Sequence, residues 1–246
     1  MEYEIIGTAA LLQRPAAEWL RRAGEAEYRA LFRIQAAAEL PEHGPSRRAA
    51  LQARQYLETA LEGRGAAVEL LSAMRAYGRP VAAAELKPVL LRAKALGRTP
   101  LLAELSERAA LPLWRACGGW PELCRAAGLE ALNGAALARA GREYAVAEAS
   151  PLLMDPAVRA QTGEAGELLL AWICQRARRL GRAPVRQECP AERVRQAEAL
   201  FGSWKRALDQ VGLSLPGKRE YRTIMRGKQR RAPERGAAAP ELRQNL

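Results

Sequence analysis

The stretch Leu180-Gly181-Arg182-Ala183-Pro184 decides the fold of this chain, because the same pattern stands earlier at Leu96-Gly97-Arg98-Thr99-Pro100. Two further landmarks follow each stretch: Gly118-Gly119-Trp120 and Gly128-Leu129 in the first copy, Gly202-Ser203-Trp204 and Gly212-Leu213 in the second. Gly181 lies 84 residues after Gly97, and the same offset of 84 relates Trp204 to Trp120. Compositional bias does not produce such spacing among residues with distinct backbone and packing roles. The chain therefore carries a duplicated unit, named here copy one and copy two.

Apolar residues recur at helical spacing almost everywhere, and runs of β-branched or aromatic residues are missing, so an all-α fold is predicted. Four helices are predicted before the repeats: Ala16–Ala23, Ala26–Leu40, Arg47–Leu61 and Ala66–Tyr77. Ser46 is the predicted N-cap of the third. The first helices of the two copies are predicted over Glu85–Leu96 and Leu168–Leu180, each ended by glycine and followed by proline.

Copy two gives the clearest plan of the unit, in which a helix, a Gly-Arg-x-Pro turn and a second helix precede a Gly-x-Trp turn and a last helix. Ser203 is placed to cap the last helix, and Gly212 to end it. Trp204 and Leu208 lie one turn apart and are expected to pack inward. The unit is thus predicted to be a compact group of three helices.

Two other places, Gly78-Arg79-Pro80 and Gly141-Arg142, weakly repeat the Gly-Arg element. Neither is followed by a tryptophan at the required distance. We interpret both as noise or decay and count two full copies.

The net charge of +12 is concentrated late in the chain, with +5 over residues 172–213 and +6 over 214–246. A local positive field attracts polyanions, of which nucleic acid is the most common inside cells. An arginine-rich composition explains why arginine is more frequent than lysine. It does not explain why the positive charge is concentrated late in the chain. Residues after Gly212 combine like charges with almost no apolar periodicity, so a disordered basic tail is predicted.

Copy two resembles the homing endonuclease associated repeat, also called the HNH repeat, whose signature is Leu-Gly-Arg-x-Pro followed by Phe-Gly-Ser-Trp, Ala-Leu and Val-Gly-Leu. The matching residues are Leu180-Gly181-Arg182-Ala183-Pro184, Phe201-Gly202-Ser203-Trp204, Ala207-Leu208 and Val211-Gly212-Leu213. Copy one departs from it, with Cys117-Gly118-Gly119-Trp120 in place of the second element. The resemblance implies a small helix-turn-helix-like DNA-binding module, often in tandem and often attached to nucleases of mobile elements.

The residues themselves are compatible with nucleic-acid binding. In copy two, Arg193, Arg195 and Gln196 are side-chain types that read guanine or adenine edges, and basic residues near the turns are placed to hold phosphates. For each arginine, the alternative is a plain solvated surface position. The predicted nucleic-acid-binding residues are Arg98, Arg108, Arg115, Arg182, Arg186, Arg193, Arg195, Gln196, Ser203, Lys205 and Arg206.

The residue inventory argues against an enzyme. An HNH nuclease site needs several histidines, and the chain has only His43, while its only aspartates are Asp155 and Asp209. The four cysteines show no CxxC pair and are expected to be buried or free thiols rather than zinc ligands. Cys117 aligns with Phe201, which indicates apolar packing. No catalytic residue, metal or cofactor is expected.

The sequence divides into five predicted parts: an N-terminal helical domain of unknown role (1–78), copy one (85–130), a helical insert (131–166), copy two (167–214) and the basic tail (215–246). We expect a non-catalytic protein that binds double-stranded DNA and is linked to a mobile genetic element as a regulator or accessory protein. The alternative is a helical interaction or scaffold protein whose basic tail binds nucleic acid nonspecifically, with the N-terminal helices forming a homodimer or docking a partner protein.

The chain contains no apolar run long enough for a membrane span, and its first residues, Met1-Glu2-Tyr3-Glu4, lack the basic and apolar segments of a secretory signal. A cytoplasmic protein without membrane contact is therefore expected.

Overall fold

A computed structural model describes residues 16–40 and 44–231, and these residues form helices, turns and loops without a strand. The prediction of an all-α fold is confirmed. The α-helices, numbered in chain order, are α1 (16–22), α2 (Glu25–Ala38), α3 (Gly44–Ala60), α4 (Ala66–Ala76), α5 (Lys87–Leu96), α6 (Glu107–Cys117), α7 (Trp120–Ala126), α8 (Gly134–Glu148), α9 (Pro156–Leu180), α10 (Ala191–Phe201), α11 (Trp204–Gln210) and α12 (Lys218–Arg231). None of them is both long and apolar enough to cross a membrane.

The duplication found in the sequence holds in three dimensions at residue level. Helices α5, α6 and α7 end or begin at positions that reappear 84 residues later in α9, α10 and α11. Even the single turn of 3₁₀ helix between the first two helices recurs, at Leu102–Glu104 and Arg186–Glu188. The constant offset from the end of α5 onward gives each later residue of copy one a defined counterpart in copy two.

A bidentate ion pair braces the Gly-Arg-x-Pro turn in both copies. In copy two, Arg182 donates from both terminal nitrogens to the Glu188 carboxylate at 2.8 and 2.6 Å, and Glu188 also accepts the Val185 backbone N–H at 3.1 Å. Arg98 and Glu104 form the same pair at 2.8 and 2.7 Å. The Arg182 guanidinium holds the pKa of Glu188 below its usual range. Each arginine thus fastens the turn to the helix that follows it.

A similar turn with a single hydrogen bond between the arginine and the glutamate occurs at Gly78-Arg79-Pro80. Arg79 donates to Glu85 at 3.2 Å, and Glu85 accepts the Ala82 backbone N–H at 2.9 Å. The interpretation of this echo as noise is therefore wrong, because the turn depends on arginine and glutamate six residues apart and not on a later tryptophan. Gly141-Arg142, by contrast, lies inside α8 and forms no such turn.

The helices pack around two hydrophobic cores. In the first core, residues from the N-terminal helices, such as Phe32 and Leu70, lie together with Trp114 and Leu123 of copy one. The second core is formed by copy two and the insert before it, around residues such as Ile173. Copy one therefore shares a core with the N-terminal helices, whereas copy two has its own.

Cysteines lie within these cores. Cys117, Cys124 and Cys174 are buried, and Cys189 is partly buried, without a disulfide among them. Burial raises the pKa of Cys124 to about 12 and that of Cys174 to about 11, so both thiols stay protonated at neutral pH. The expected apolar packing of Cys117 is confirmed.

The start of α3 differs from the prediction. The helix begins at Gly44, so Ser46 lies in its first turn instead of at its N-cap, and that prediction is wrong. The preceding segment is rich in proline and glycine, which interrupt helices, and therefore indicated a later start for α3. His43 lies outside the described residues.

The predicted disordered tail begins with a helix, α12, so the prediction is wrong for residues 218–231. Tyr221, Ile224 and Met225 recur at helical spacing and are each half-buried, which gives this charged segment a packed side. The rest of the predicted tail, 232–246, lies outside the described residues.

Glu39, at the end of α2, makes the stability of copy one depend on pH. It accepts the Leu102 backbone N–H at 2.5 Å, and burial raises its pKa from 4.5 to about 7 despite backbone hydrogen bonds from Leu102 and Ala103. Because the pKa of Glu39 is higher in the folded state, the protonated carboxyl stabilises the fold. This contribution is complete below pH 4.5 and is lost as the pH rises through 7.

We expect Glu39→Gln to gain stability relative to the wild type as the pH is raised from about 4.5 to 7.5, by at most about 3 kcal/mol. Urea denaturation of both proteins across this range measures the difference. A difference that does not change with pH contradicts the assignment to Glu39.

Candidate nucleic-acid interface

Copy two holds its second turn with backbone and buried contacts. Ser203 accepts the Arg206 backbone N–H at 3.1 Å and so caps α11, as predicted. Trp204 is 5% exposed and donates from its indole nitrogen to the Pro184 carbonyl at 3.1 Å. Leu208 is fully buried, as the inward packing of both side chains requires. The turn is thereby tied to both the preceding Pro184 segment and the core.

This fixed turn presents cations to solvent. Lys205 and Arg206 occupy the first turn of α11, and Arg195 lies on α10; all three are exposed. Arg195 and Gly202 are seven residues apart, so they share one side of α10 and its end. The Arg206 guanidinium lies over Gly202, 3.2 Å from where a Cβ of that residue would stand. Arg195 and Arg206 therefore border the same exposed turn.

These three cations form no ion pair within residues 16–40 and 44–231, unlike several other predicted site residues. Arg186 pairs with Glu198 at 3.0 Å. Arg193 donates to Gln196 at 3.0 Å and stacks on the Trp172 ring at 5.8 Å. Exposed pairs of this kind are weak and can be exchanged for a phosphate.

Arg182 and Arg98 are different from these surface residues. Their side chains are only 22% and 20% exposed, and both are held by the bidentate brace described above. A half-buried bidentate pair is costly to break, since it leaves an unpaired carboxylate behind. These two predicted contacts are structural residues of the turn, and we place them outside the interface.

In copy one, the face that corresponds to Arg195, Lys205 and Arg206 of copy two is covered by the protein itself. Trp114 of α6 packs edge-on against Phe32 of α2, with ring centroids 5.5 Å apart, and donates a hydrogen bond to Gln35. Leu111, one turn earlier, is also buried in the first core. The outer side of α6 is therefore occupied by α2.

The counterparts of these two residues in copy two are polar. Arg195 stands where copy one has Leu111, and Glu198 stands where copy one has Trp114. Apolar residues at these positions accompany a covered helix, and charged residues accompany an open one. The difference in sequence thus follows the difference in exposure.

The second turn of copy one is covered as well. Gly118 is buried, and a Cβ on it would lie 2.7 Å from the Met74 carbonyl oxygen of α4. The Arg79 backbone N–H donates to the Ala116 carbonyl at 2.7 Å, next to this contact. Backbone therefore packs on backbone at the turn that is open in copy two.

The charges at this turn are reversed between the copies. Pro121 and Glu122 of copy one stand where copy two has Lys205 and Arg206. Glu122 faces Arg75 of α4 at 4.0 Å, so it belongs to the contact with the N-terminal helices. Of the predicted cations in copy one outside the brace, Arg115 stacks on Tyr28 at 3.9 Å, and Arg108 is exposed.

The two aspartates of the chain have structural surroundings. Asp155 caps α9 through the Ala157 backbone N–H at 2.9 Å and faces Arg48 at 3.7 Å. Burial raises the pKa of Asp209 in α11. In the described part of the chain, no three His, Cys, Asp or Glu side chains group closely enough to hold a metal ion.

Two features of the interface were missed in the sequence, although signals for both were present. The brace was visible as a glutamate six residues after the arginine in each turn. The cover was visible as the apolar residues Leu111 and Trp114 at positions where copy two is charged. A residue-by-residue comparison of the copies would have found both.

The geometry thus defines an all-helical protein that contains a repeated helical unit, whose second copy exposes Arg195, Lys205 and Arg206. A comparison with family models supports the unit directly. Residues 166–214, which include copy two, match the family model of the homing endonuclease associated repeat, in agreement with the resemblance seen in the sequence. Comparisons with curated proteins and with solved structures found no match.

Proposed function

We propose that this chain is a non-catalytic DNA-binding protein that contacts double-stranded DNA through the basic face of copy two, the surface formed by Arg195, Lys205 and Arg206. The observation that carries the proposal is that these exposed cations border an open, capped turn within the segment that matches the repeat family. Arginine reads base edges, and lysine and arginine also hold phosphates.

The difference between the two copies supports the same assignment. A repeat that packs protein on this face has Leu111, Trp114 and Glu122 there, as in copy one. Copy two has charged residues in place of all three, in a region whose net charge is +5 over residues 172–213. A face that is open and basic favours a polyanionic ligand over a protein helix.

The proposed role is that of an accessory or regulatory protein linked to a mobile genetic element. The family description connects the repeat with homing endonucleases, which act on DNA. This chain has one histidine, and both of its aspartates are in structural surroundings. These residues argue against a nuclease site in this chain. The chain would then act beside a separate nuclease or without one.

The experiment is a salt titration of the full chain with labelled random duplex DNA, single-stranded DNA and structured RNA, in the presence of Mg²⁺. We expect the tightest binding to duplex DNA, a steep loss of affinity between about 50 and 200 mM salt, and intact DNA afterwards. Cleaved DNA contradicts the non-catalytic assignment. Absence of duplex binding contradicts the proposal and favours the alternative, a helical interaction protein acting through its N-terminal helices.

A further inference from the structure

Helix α12 carries a row of cations that the basic face of copy two does not include. Lys218, Arg222 and Arg226 are four residues apart, all exposed, and line one groove together with Thr223. Positions four apart lie on one side of an α-helix, so the three side chains form a single row, named here the α12 row. None of the three forms an ion pair with another described residue.

Other residues of α12 are less exposed than the row. Tyr221, Ile224 and Met225 are half-buried, and Glu220 faces Arg142 of α8 at 3.9 Å. Glu220 also lines a small cavity with Arg182, the arginine of the copy two turn. The first turn of α12 therefore stands beside copy two, and the three cations of the row remain exposed.

We infer that the α12 row binds the phosphate backbone of the same nucleic acid that copy two contacts, as a second and sequence-independent contact. This inference rests on the proposed function. Helix geometry makes the row about 12 Å long, a length over which one DNA strand presents three to four phosphates. Three cations in line, about 6 Å apart, can contact phosphates along a stretch of this length.

A membrane surface is the other polyanion that a basic amphipathic helix can bind, and the structure disfavours it. Membrane association requires the apolar side of the helix to enter the lipid. In α12 the apolar residues are Tyr221, Ile224 and Met225, and each of them is only partly exposed. The cations alone are free to meet a ligand, and this favours a phosphate backbone.

The test replaces the row in the full chain with Lys218→Ala, Arg222→Ala and Arg226→Ala. Alanine maintains helix propensity, so α12 is expected to form in the variant, and circular dichroism checks it. The matched control replaces three exposed arginines of the N-terminal region, Arg47, Arg54 and Arg64, with alanine. Both variants lose the same formal charge, so a difference between them reports position.

We expect the row variant to bind labelled random duplex DNA at least about tenfold more weakly at low salt, with the slope of log affinity against log salt reduced by about 3. Its preference among duplex sequences is expected to stay unchanged, because phosphate contacts carry no sequence information. Unchanged affinity and slope overturn the inference, and so does an equal loss in the control variant.

A second arm uses vesicles that contain anionic phospholipid. Binding of the wild type to vesicles that is lost in the row variant, with duplex affinity intact, assigns the row to a membrane and overturns the inference. The proposed function fails separately, if replacement of Arg195, Lys205 and Arg206 leaves duplex binding intact. Loss of binding in that variant together with full binding in the row variant retains the proposed function and rejects the α12 row alone.

Discussion

Gly118→Ala is expected to lower the free energy of unfolding by about 3 kcal/mol, whereas Gly202→Ala at the equivalent position of copy two is expected to cost about 1 kcal/mol. Both glycines have a positive φ, 87° and 77°, so both substitutions strain the backbone. Only at Gly118 does the added Cβ also meet immovable backbone, 2.7 Å from the Met74 carbonyl oxygen and 2.9 Å from the Arg75 Cα. At Gly202 the neighbour is the mobile end of Arg206.

Urea denaturation of the two variants beside the wild type measures this contrast. The pair is matched, since each substitution adds one methyl group at the same place in the same unit. Equal losses of stability, both near 1 kcal/mol, would mean that α4 does not press on the turn of copy one. That outcome would remove the observation that distinguishes the covered repeat from the open one.

Replacing Arg195, Lys205 and Arg206 together with alanine is expected to weaken binding to duplex DNA by at least about 100-fold. Each phosphate contact contributes about one to the salt slope, and an arginine that reads a base contributes about 1–3 kcal/mol. Fold stability should change little, because all three side chains are exposed and make no ion pair with another described residue. Fluorescence anisotropy with labelled duplex, at several salt concentrations, provides the measurement.

The matched control is again the alanine replacement of Arg47, Arg54 and Arg64, which removes the same formal charge from exposed positions in and after α3. We expect it to bind within about threefold of the wild type, since none of these residues belongs to the basic face of copy two. A comparable loss in both variants would indicate general charge attraction in place of a defined face.

Features set by neighbouring residues could be predicted from the sequence. Ser203 as a cap, Gly212 as a stop and the inward-facing Trp204 follow from local backbone chemistry, and the structure confirms each. The duplication was equally visible, because the copies are aligned without a gap. The aligned positions also predicted that Cys117, the counterpart of Phe201, lies in the core.

Features that depend on contacts between distant parts of the chain could not be predicted in this way. No local signal connects Gln35 to Trp114, although this contact across 79 residues helps to cover α6. Arg98 and Arg182 are a different case, because their glutamate partners lie only six residues away and were visible in the sequence. Helix α12 was missed because its charges outweighed the short apolar side formed around Tyr221.

The most direct test of the account compares the two copies in one binding assay. One variant carries alanine at Arg195, Lys205 and Arg206 of copy two. The other carries alanine at three exposed arginines of copy one: Arg108, Arg115 and Arg125, the last of which lies in α7. The account predicts a loss of duplex affinity of about 100-fold or more for the first and a change within about threefold for the second. Equal losses would contradict the central claim that copy two alone presents an open nucleic-acid face, and a larger loss in copy one would reverse it.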